Sequence, residues 1–267
     1  MVILTIATWL LSASFSLADT LQKTNDLPNI TILADSSLTG ALTEIIRLYS
    51  REKNITTTAS FDDTGEQARK IAEGETADIF ISAHPRWMTE LKQQGLIDVF
   101  SVANLVHNRL VLVSAASHHL GKQLNKDMSS YDQITYLNKK SLMVLGDPDN
   151  TSLGLYSKDA IVNLGISMHV GLWNKMRNTI IRSSSAKDSL YLITHGNRTG
   201  IIYASDAYKN REVAVLSVLD EKTYDPIIYQ AAVVAGENMT HARELLEFLR
   251  SRQAMDIFIK YGFLALS

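Results

Sequence analysis

The chain has 267 residues, enough for one large domain or two modest ones with separate cores. Apolar residues make up 46% and charged residues 20%, which excludes a disordered or low-complexity chain. The net charge is −2 with no block of like charge, so composition points to neither nucleic acid nor an anionic membrane. The absence of cysteine excludes a disulfide framework, a thiol nucleophile and a cysteine metal site.

Residues 1–18 carry no charged side chain, and 2–11 are nearly all apolar. Ser16-Leu17-Ala18 places small residues where a signal peptidase reads, which predicts a secretory signal cleaved after Ala18. The competing reading is a membrane anchor, but a span needs about 20 apolar residues, more than this run supplies. Beyond it, strands and helices alternate. Residues 30–34 read as a strand, and 39–51 as a helix with Leu42, Ile45, Ile46 and Tyr49 on one face. The β-branched run 55–61 predicts a second strand, 67–73 a short helix stopped by Gly74, and 77–83 a third strand. Residues 85–94 predict a helix with Pro85 in its first turn, where a missing N–H costs nothing. The rhythm resumes with strands at 110–113 and 141–145, helices at 153–164 and 186–195, and strands at 200–203, 213–218 and 227–234. A long amphipathic helix over 241–261 closes the chain. Such alternation implies mainly parallel sheets covered by helices.

Ligands of open parallel sheets bind beyond the carboxyl ends of the strands, so the residues after each strand are the candidates. Asp35-Ser36-Ser37-Leu38-Thr39 leads from the first strand into a helix. Its hydroxyls and the helix's unpaired N–H groups can hold an anion without a basic residue, or a serine there simply caps the helix. Asp62-Asp63-Thr64-Gly65-Glu66 follows the second strand. Thr64 can donate to an anion and Gly65 permits close backbone approach, while Asp63 and Glu66 have the spacing of a capping box that occupies the same N–H groups. Gly146-Asp147-Pro148 and Ser152-Leu153-Gly154 follow the 141–145 strand, and Tyr203 ends the 200–203 strand. The seven histidines show no metal-binding spacing, and there is no nucleophile elbow, Walker loop or dinucleotide fingerprint.

Taken in order, these segments resemble the periplasmic molybdate-binding proteins. Ala34-Asp35-Ser36-Ser37-Leu38-Thr39 is similar to their Ala-x-x-Ser-Leu-Thr opening. Residues 77–83 with Trp87-Met88 resemble their third strand and next helix. Residues 108–113, Gly146-Asp147-Pro148, Gly154-Leu155-Tyr156, residues 200–207 and Tyr261-Gly262-Phe263 complete a match from Ile30 to Phe263. The resemblance implies an α/β, two-lobed periplasmic-binding-protein fold of type II. Each lobe would be a mainly parallel sheet flanked by helices, with residues 28–106 and 226–267 in one lobe, 107–225 in the other, and the ligand cleft between them. It implies a monomeric, non-enzymatic periplasmic receptor without cofactor or metal site. Such a receptor captures molybdate or tungstate by lobe closure and delivers it to an ABC permease and its ATPase in the inner membrane. Carried over residue by residue, the ligand contacts fall on the hydroxyls of Ser37, Thr64 and Tyr203 and the backbone N–H groups of Leu153 and Ala186. This chain departs from the pattern by Asp62 and Asp63 before the second hydroxyl, and by Leu153 in place of a small residue. The acidic pair leaves two alternatives open: a receptor for another solute, such as a cation or a different oxyanion, or an enzyme on the same fold.

Overall fold

The computed structural model describes residues 29–119, 123–124 and 127–266; the signal-like segment 1–18 lies outside them. Among the described residues no helix is long and apolar enough to cross a membrane.

Strand β1 (Asn29–Asp35) pairs in parallel with β2 (Thr56–Asp62) on one side and β3 (Ile79–Ser82) on the other. The sheet is completed by β10 (Ile227–Val233) and β4 (Ala103–Asn108), in the order β2-β1-β3-β10-β4. The second sheet has the order β7-β6-β8-β5-β9, built from β5 (Leu110–Ala115), β6 (Met143–Gly146), β7 (Ile180–Ser183), β8 (Thr199–Tyr203) and β9 (Val213–Val218). In each sheet four of the five strands run one way and a single strand, β10 or β5, runs against them. The alternation read from the sequence anticipates the four. The chain crosses between sheets at Arg109, and Asn108 pins the crossing: its Nδ2 donates to Ser205 Oγ at 2.9 Å and to the Tyr229 hydroxyl at 3.3 Å.

Helices α1 (Thr39–Lys53), α2 (Thr64–Ala72) and α3 (Pro85–Gln93) cover the first sheet. Helix α1 buries Ala41, Leu42, Ile45 and Tyr49, the stripe expected from its 3.6-residue period, and ends at Asn54 in the left-handed region. Helix α2 begins three residues earlier than its apolar pattern predicts, because Asp63 caps it by accepting from Gly65 N at 2.8 Å. The second sheet carries α4 (Ser130–Lys140), α5 (Ser152–Ser167), α6 (Leu172–Met176), α7 (Ala186–His195) and the short α8 (Ala204–Ala207). The single C-terminal helix read over 241–261 is two, α9 (Met239–Leu249) and α10 (Arg252–Lys260). Ser251 divides them by capping α10 at Ala254 N, so a serine inside a continuous apolar stripe starts a new helix.

The two lobes touch across the gap between the sheets. The Tyr156 hydroxyl on α5 donates to the Ala83 carbonyl at 3.2 Å. Gly65 on α2 lies under the Asn150 carbonyl of the other lobe and against the Trp87 ring; a Cβ there would come within 2.6 Å of the carbonyl oxygen and 2.8 Å of the ring. The close approach that a glycine at this position permits is therefore made by the facing lobe. We expect Gly65→Ala to destabilise the closed arrangement by about 1–3 kcal/mol, the scale of overpacking. Small-angle scattering should show a larger radius of gyration than wild type; an unchanged radius would mean the lobes accommodate the methyl.

Candidate functional site

The carboxyl ends of β1, β2 and β3 point at the gap between the lobes. The parallel register sets Asp35 directly beside Asp62, so the segments after both strands start from one edge. Asp35 is buried and accepts from Ser37 N at 3.0 Å, Ser37 Oγ at 2.6 Å and Thr64 Oγ1 at 2.7 Å. Two of the hydroxyls read from the sequence as anion donors are thus gathered on one carboxylate. The first turn after β1 is capped by Asp35 rather than by a serine. Ser37 Oγ also lies 2.7 Å from the Tyr229 hydroxyl, and Thr64 Oγ1 accepts from Ala83 N at 3.2 Å.

The two aspartates before Thr64 have opposite fates. Asp62 is half-exposed: one oxygen accepts from Asp63 N at 2.9 Å, the other lies 3.7 Å from Lys70, and the residue borders the groove between the lobes. Asp63 is buried: one oxygen caps α2, and the other crosses the gap to accept from Ser152 N, the first residue of α5, at 3.1 Å. The capping-box reading is half met, because Glu66 pairs with Arg69 at 2.6 Å instead of closing back on Asp63. The partner it leaves is a helix start in the other lobe, a contact that no local spacing reveals.

On that lobe, Leu153 and Ala186 sit in the first turns of α5 and α7, where N–H groups have no partner within their own helix. Each is adjacent to a residue whose N–H spans the gap: Ser152 to Asp63, and Lys187 to Ser36 Oγ at 3.4 Å. The Leu153 side chain is fully buried in the core, so only its backbone is available to a ligand. Tyr203, at the end of β8, is fully buried and its ring packs edge-on to Tyr229 at 6.1 Å. Its hydroxyl makes no hydrogen bond to the described residues. Ser37 and Thr64 thus meet on Asp35, Tyr203 packs against the Tyr229 ring that reaches Ser37, and Leu153 and Ala186 each adjoin a residue whose N–H crosses the gap. A groove of about 860 Å³ opens beside it, lined by Asp63, Gly65, Trp87, Asn150 and Arg182 among others.

Sequence reasoning did not single out Asp35, Asp206, Tyr229 or Asn108 as site residues. Asp35 follows a strand and precedes two serines, which was the available signal; the other three come from distant segments that only the fold assembles. Burial raises the Asp35 pKa above the usual carboxylate value, with the Ser37 and Thr64 hydrogen bonds pulling it down. Asp63 is pushed well up, first by burial and then by the charge of Asp35. Asp206 is pushed up to about 8 by burial and by Asp35; the residue is partly exposed, but its Oδ2 is buried without a partner among the described residues. His84, whose ring caps α3 and packs on Tyr156 at 4.6 Å, is pushed down to about 4, chiefly by burial.

This is a bilobed α/β fold of the periplasmic-binding-protein type, with polar groups of both lobes meeting at strand ends across the cleft. The family model for bacterial extracellular solute-binding proteins matches residues 30–264, and the chain belongs to that family, which places it outside the cytoplasm. The molybdate-binding protein ModA of Escherichia coli is 30% identical over 239 residues, covering 89% of this chain and 90% of that protein. Among solved structures, the substrate-binding domain of a putative molybdenum ABC transporter from Clostridium difficile is 26% identical with a TM-score of 0.65, covering 90% of this chain and 99% of that one. The sulfate-binding protein SubI from Mycobacterium tuberculosis shares the fold at a TM-score of 0.74 and 15% identity, over 90% of this chain and 88% of its own.

The buried acids give stability a definite pH dependence. Between pH 3.8 and about 8 folded Asp206 keeps a proton that the unfolded chain releases, so its contribution is fully present at low pH and is lost as pH rises. His84 acts oppositely and only below 6.5, where the unfolded chain takes up a proton that the folded state refuses until about pH 4. From pH 6.5 to 8 the His84 contribution is constant while that of Asp206 declines. We expect the melting temperature to fall over that interval and Asp206→Asn to shrink the fall; a melting temperature that rises would contradict the assignment.

Proposed function

We propose that this protein captures a tetrahedral oxyanion, molybdate or tungstate in the first instance, by closing its two lobes and delivers it to an ABC permease and its ATPase. The lobes would move as bodies made of residues 28–106 with 226–267, and of 107–225, and the mature chain would begin after Ala18. What supports the reading is that hydroxyls and helix starts of both lobes face the same gap, Ser37 and Thr64 from one side and the first turns of α5 and α7 from the other; in it the Ser37, Thr64 and Tyr203 hydroxyls and the N–H groups of Leu153 and Ala186 would hold the anion. Helix starts and hydroxyls hold an anion without a counter-ion, and the dipoles of α5 and α7 favour negative charge there. The likeness to ModA of Escherichia coli and to the Clostridium difficile domain supports molybdate as cargo.

The two buried carboxylates raise the alternative of a cationic cargo. Their hydrogen bonds argue against it. Asp35 already accepts from three donors, and each oxygen of Asp63 accepts from a backbone N–H, so a cation would compete with donors at every oxygen. Among the described residues no group of three or more histidine, aspartate or glutamate side chains is arranged to hold a metal. An ionised Asp35 nonetheless opposes an anion: at about 4 Å and an effective dielectric near 20, each pair of unit charges costs about 4 kcal/mol.

The reading is tested by the melting shift of the purified protein with molybdate, tungstate, sulfate, phosphate, magnesium and zinc. An anion at about 100 times its Kd should stabilise by about 2.7 kcal/mol. Stabilisation by a divalent metal alone would favour the cationic alternative. Ser37→Ala and Tyr203→Phe should each weaken anion binding by about 1.5–3 kcal/mol. Because the Tyr203 hydroxyl has no protein partner, Tyr203→Phe should leave the melting temperature of the empty protein unchanged or raise it. Unaltered affinity in both variants would remove these residues from the site.

A further inference from the structure

We infer that Asp35 makes capture at this site proton-coupled: the oxyanion enters the ring of Ser37, Thr64 and Tyr203 together with one proton, which Asp35 holds. The inference rests on the oxyanion reading and specifies the protonation state in which that site works.

Each hydroxyl around Asp35 has a single hydrogen to give. An ionised carboxylate only accepts, so the bond between Ser37 Oγ and Asp35 uses the single hydrogen of the Ser37 hydroxyl. The Tyr229 hydroxyl must then donate to Ser37 Oγ, and it accepts in turn from Asn108 Nδ2. Thr64 gives its one hydroxyl hydrogen to the other Asp35 oxygen, while its own oxygen accepts from Ala83 N. With Asp35 charged, neither hydroxyl has a hydrogen left for an anion, and a fixed negative charge stands behind both. Of the three ring hydroxyls, the one with its hydrogen uncommitted is that of Tyr203, fully buried and unpartnered among the described residues.

One proton on Asp35 changes both conditions. The carboxyl becomes a donor and can reverse its bond to Ser37 or Thr64, whose own hydrogen then turns into the cleft. The same proton cancels the charge. Among the described residues the titratable groups whose charge bears on Asp35 are Asp63 at the start of α2, Tyr203 at the end of β8, Asp206 in α8, Tyr229 on β10 and Tyr156 on α5, all acids or phenols, so none of them supplies the positive charge a proton would. A proton on Asp63 would not serve, because its oxygens accept from the backbone N–H groups of Gly65 and Ser152 and release no hydroxyl. Burial favours the neutral form of Asp35.

The test is isothermal titration of the full protein and of Asp35→Asn with micromolar molybdate and with sulfate, from pH 5.5 to 8.5, in buffers of different ionisation enthalpy. We expect the wild-type Kd to rise about tenfold per pH unit in the upper part of that range, with close to one proton taken up per anion. Asp35→Asn, a neutral side chain of the same shape, should bind with a flat pH profile and at least about tenfold more tightly than wild type at pH 8.5. Wild-type binding with no pH slope and no proton uptake would overturn the inference, as would a slope that survives in Asp35→Asn. If Asp35→Asn does not fold, the proton count of the wild type decides alone. If folded wild type and variant both fail to bind any tested oxyanion at every pH, the oxyanion reading itself falls, a result distinct from binding that ignores pH.

Discussion

Asp35 ends a strand paired on both sides, at a depth where water does not reach, and a carboxylate in such a place must be hydrogen-bonded or neutral. It is satisfied by the hydroxyls of Ser37, two residues on, and of Thr64, at the start of the next helix. That triangle fixes how the segments after β1 and β2 meet at the cleft. Through Ser37 it extends to Tyr229 and Asn108, and so to the strand crossing between the lobes. The protonation of one acid is thereby connected to the hydroxyls at the site and to the hinge.

Closure depends on contacts of a different kind. Asp63 reaches from the cap of α2 to the first residue of α5, a single carboxylate serving two helix starts in opposite lobes. The N–H groups it meets carry the positive ends of both helices, which offsets part of the cost of burying its charge. Gly65 lets the facing backbone come close, and Tyr156 reaches an Ala83 carbonyl that only a closed arrangement brings within range. An anion in the cleft and the Asp63 carboxylate would draw on adjacent amides of the same helix start, so cargo and closure share one set of donors.

Much of this architecture is legible in the residues themselves. The period of α1, the β-branched runs of β1 and β2 and the proline at the start of α3 each state their element locally. Strand β4 is hidden by its polar residues: Asn104 pairs with Gln230 of the neighbouring strand, His107 bridges to Leu264, and Asn108 pins the crossing between the sheets. The short β7 and the helices α4 and α6 were also missed. The division of the last helix at Ser251 was masked by apolar positions that continue in phase across it. At the site, the hydroxyl positions stand in recognisable segments, whereas Asp35 becomes an acceptor at their centre because the fold brings up Thr64, 29 residues further along the chain, while Tyr229 is joined to it only through Ser37. Interactions of that range leave no periodicity to read.

In the proposed site both lobes direct their donors at one point beside Asp35. Tungsten scatters anomalously, so a crystal of the protein grown with tungstate at acidic pH locates the anion directly. We expect a single strong anomalous peak within hydrogen-bond distance of the Ser37, Thr64 and Tyr203 hydroxyls and the Leu153 and Ala186 amides. A peak confined to the neighbouring groove lined by Trp87 and Arg182, with those hydroxyls still turned to Asp35, would contradict it.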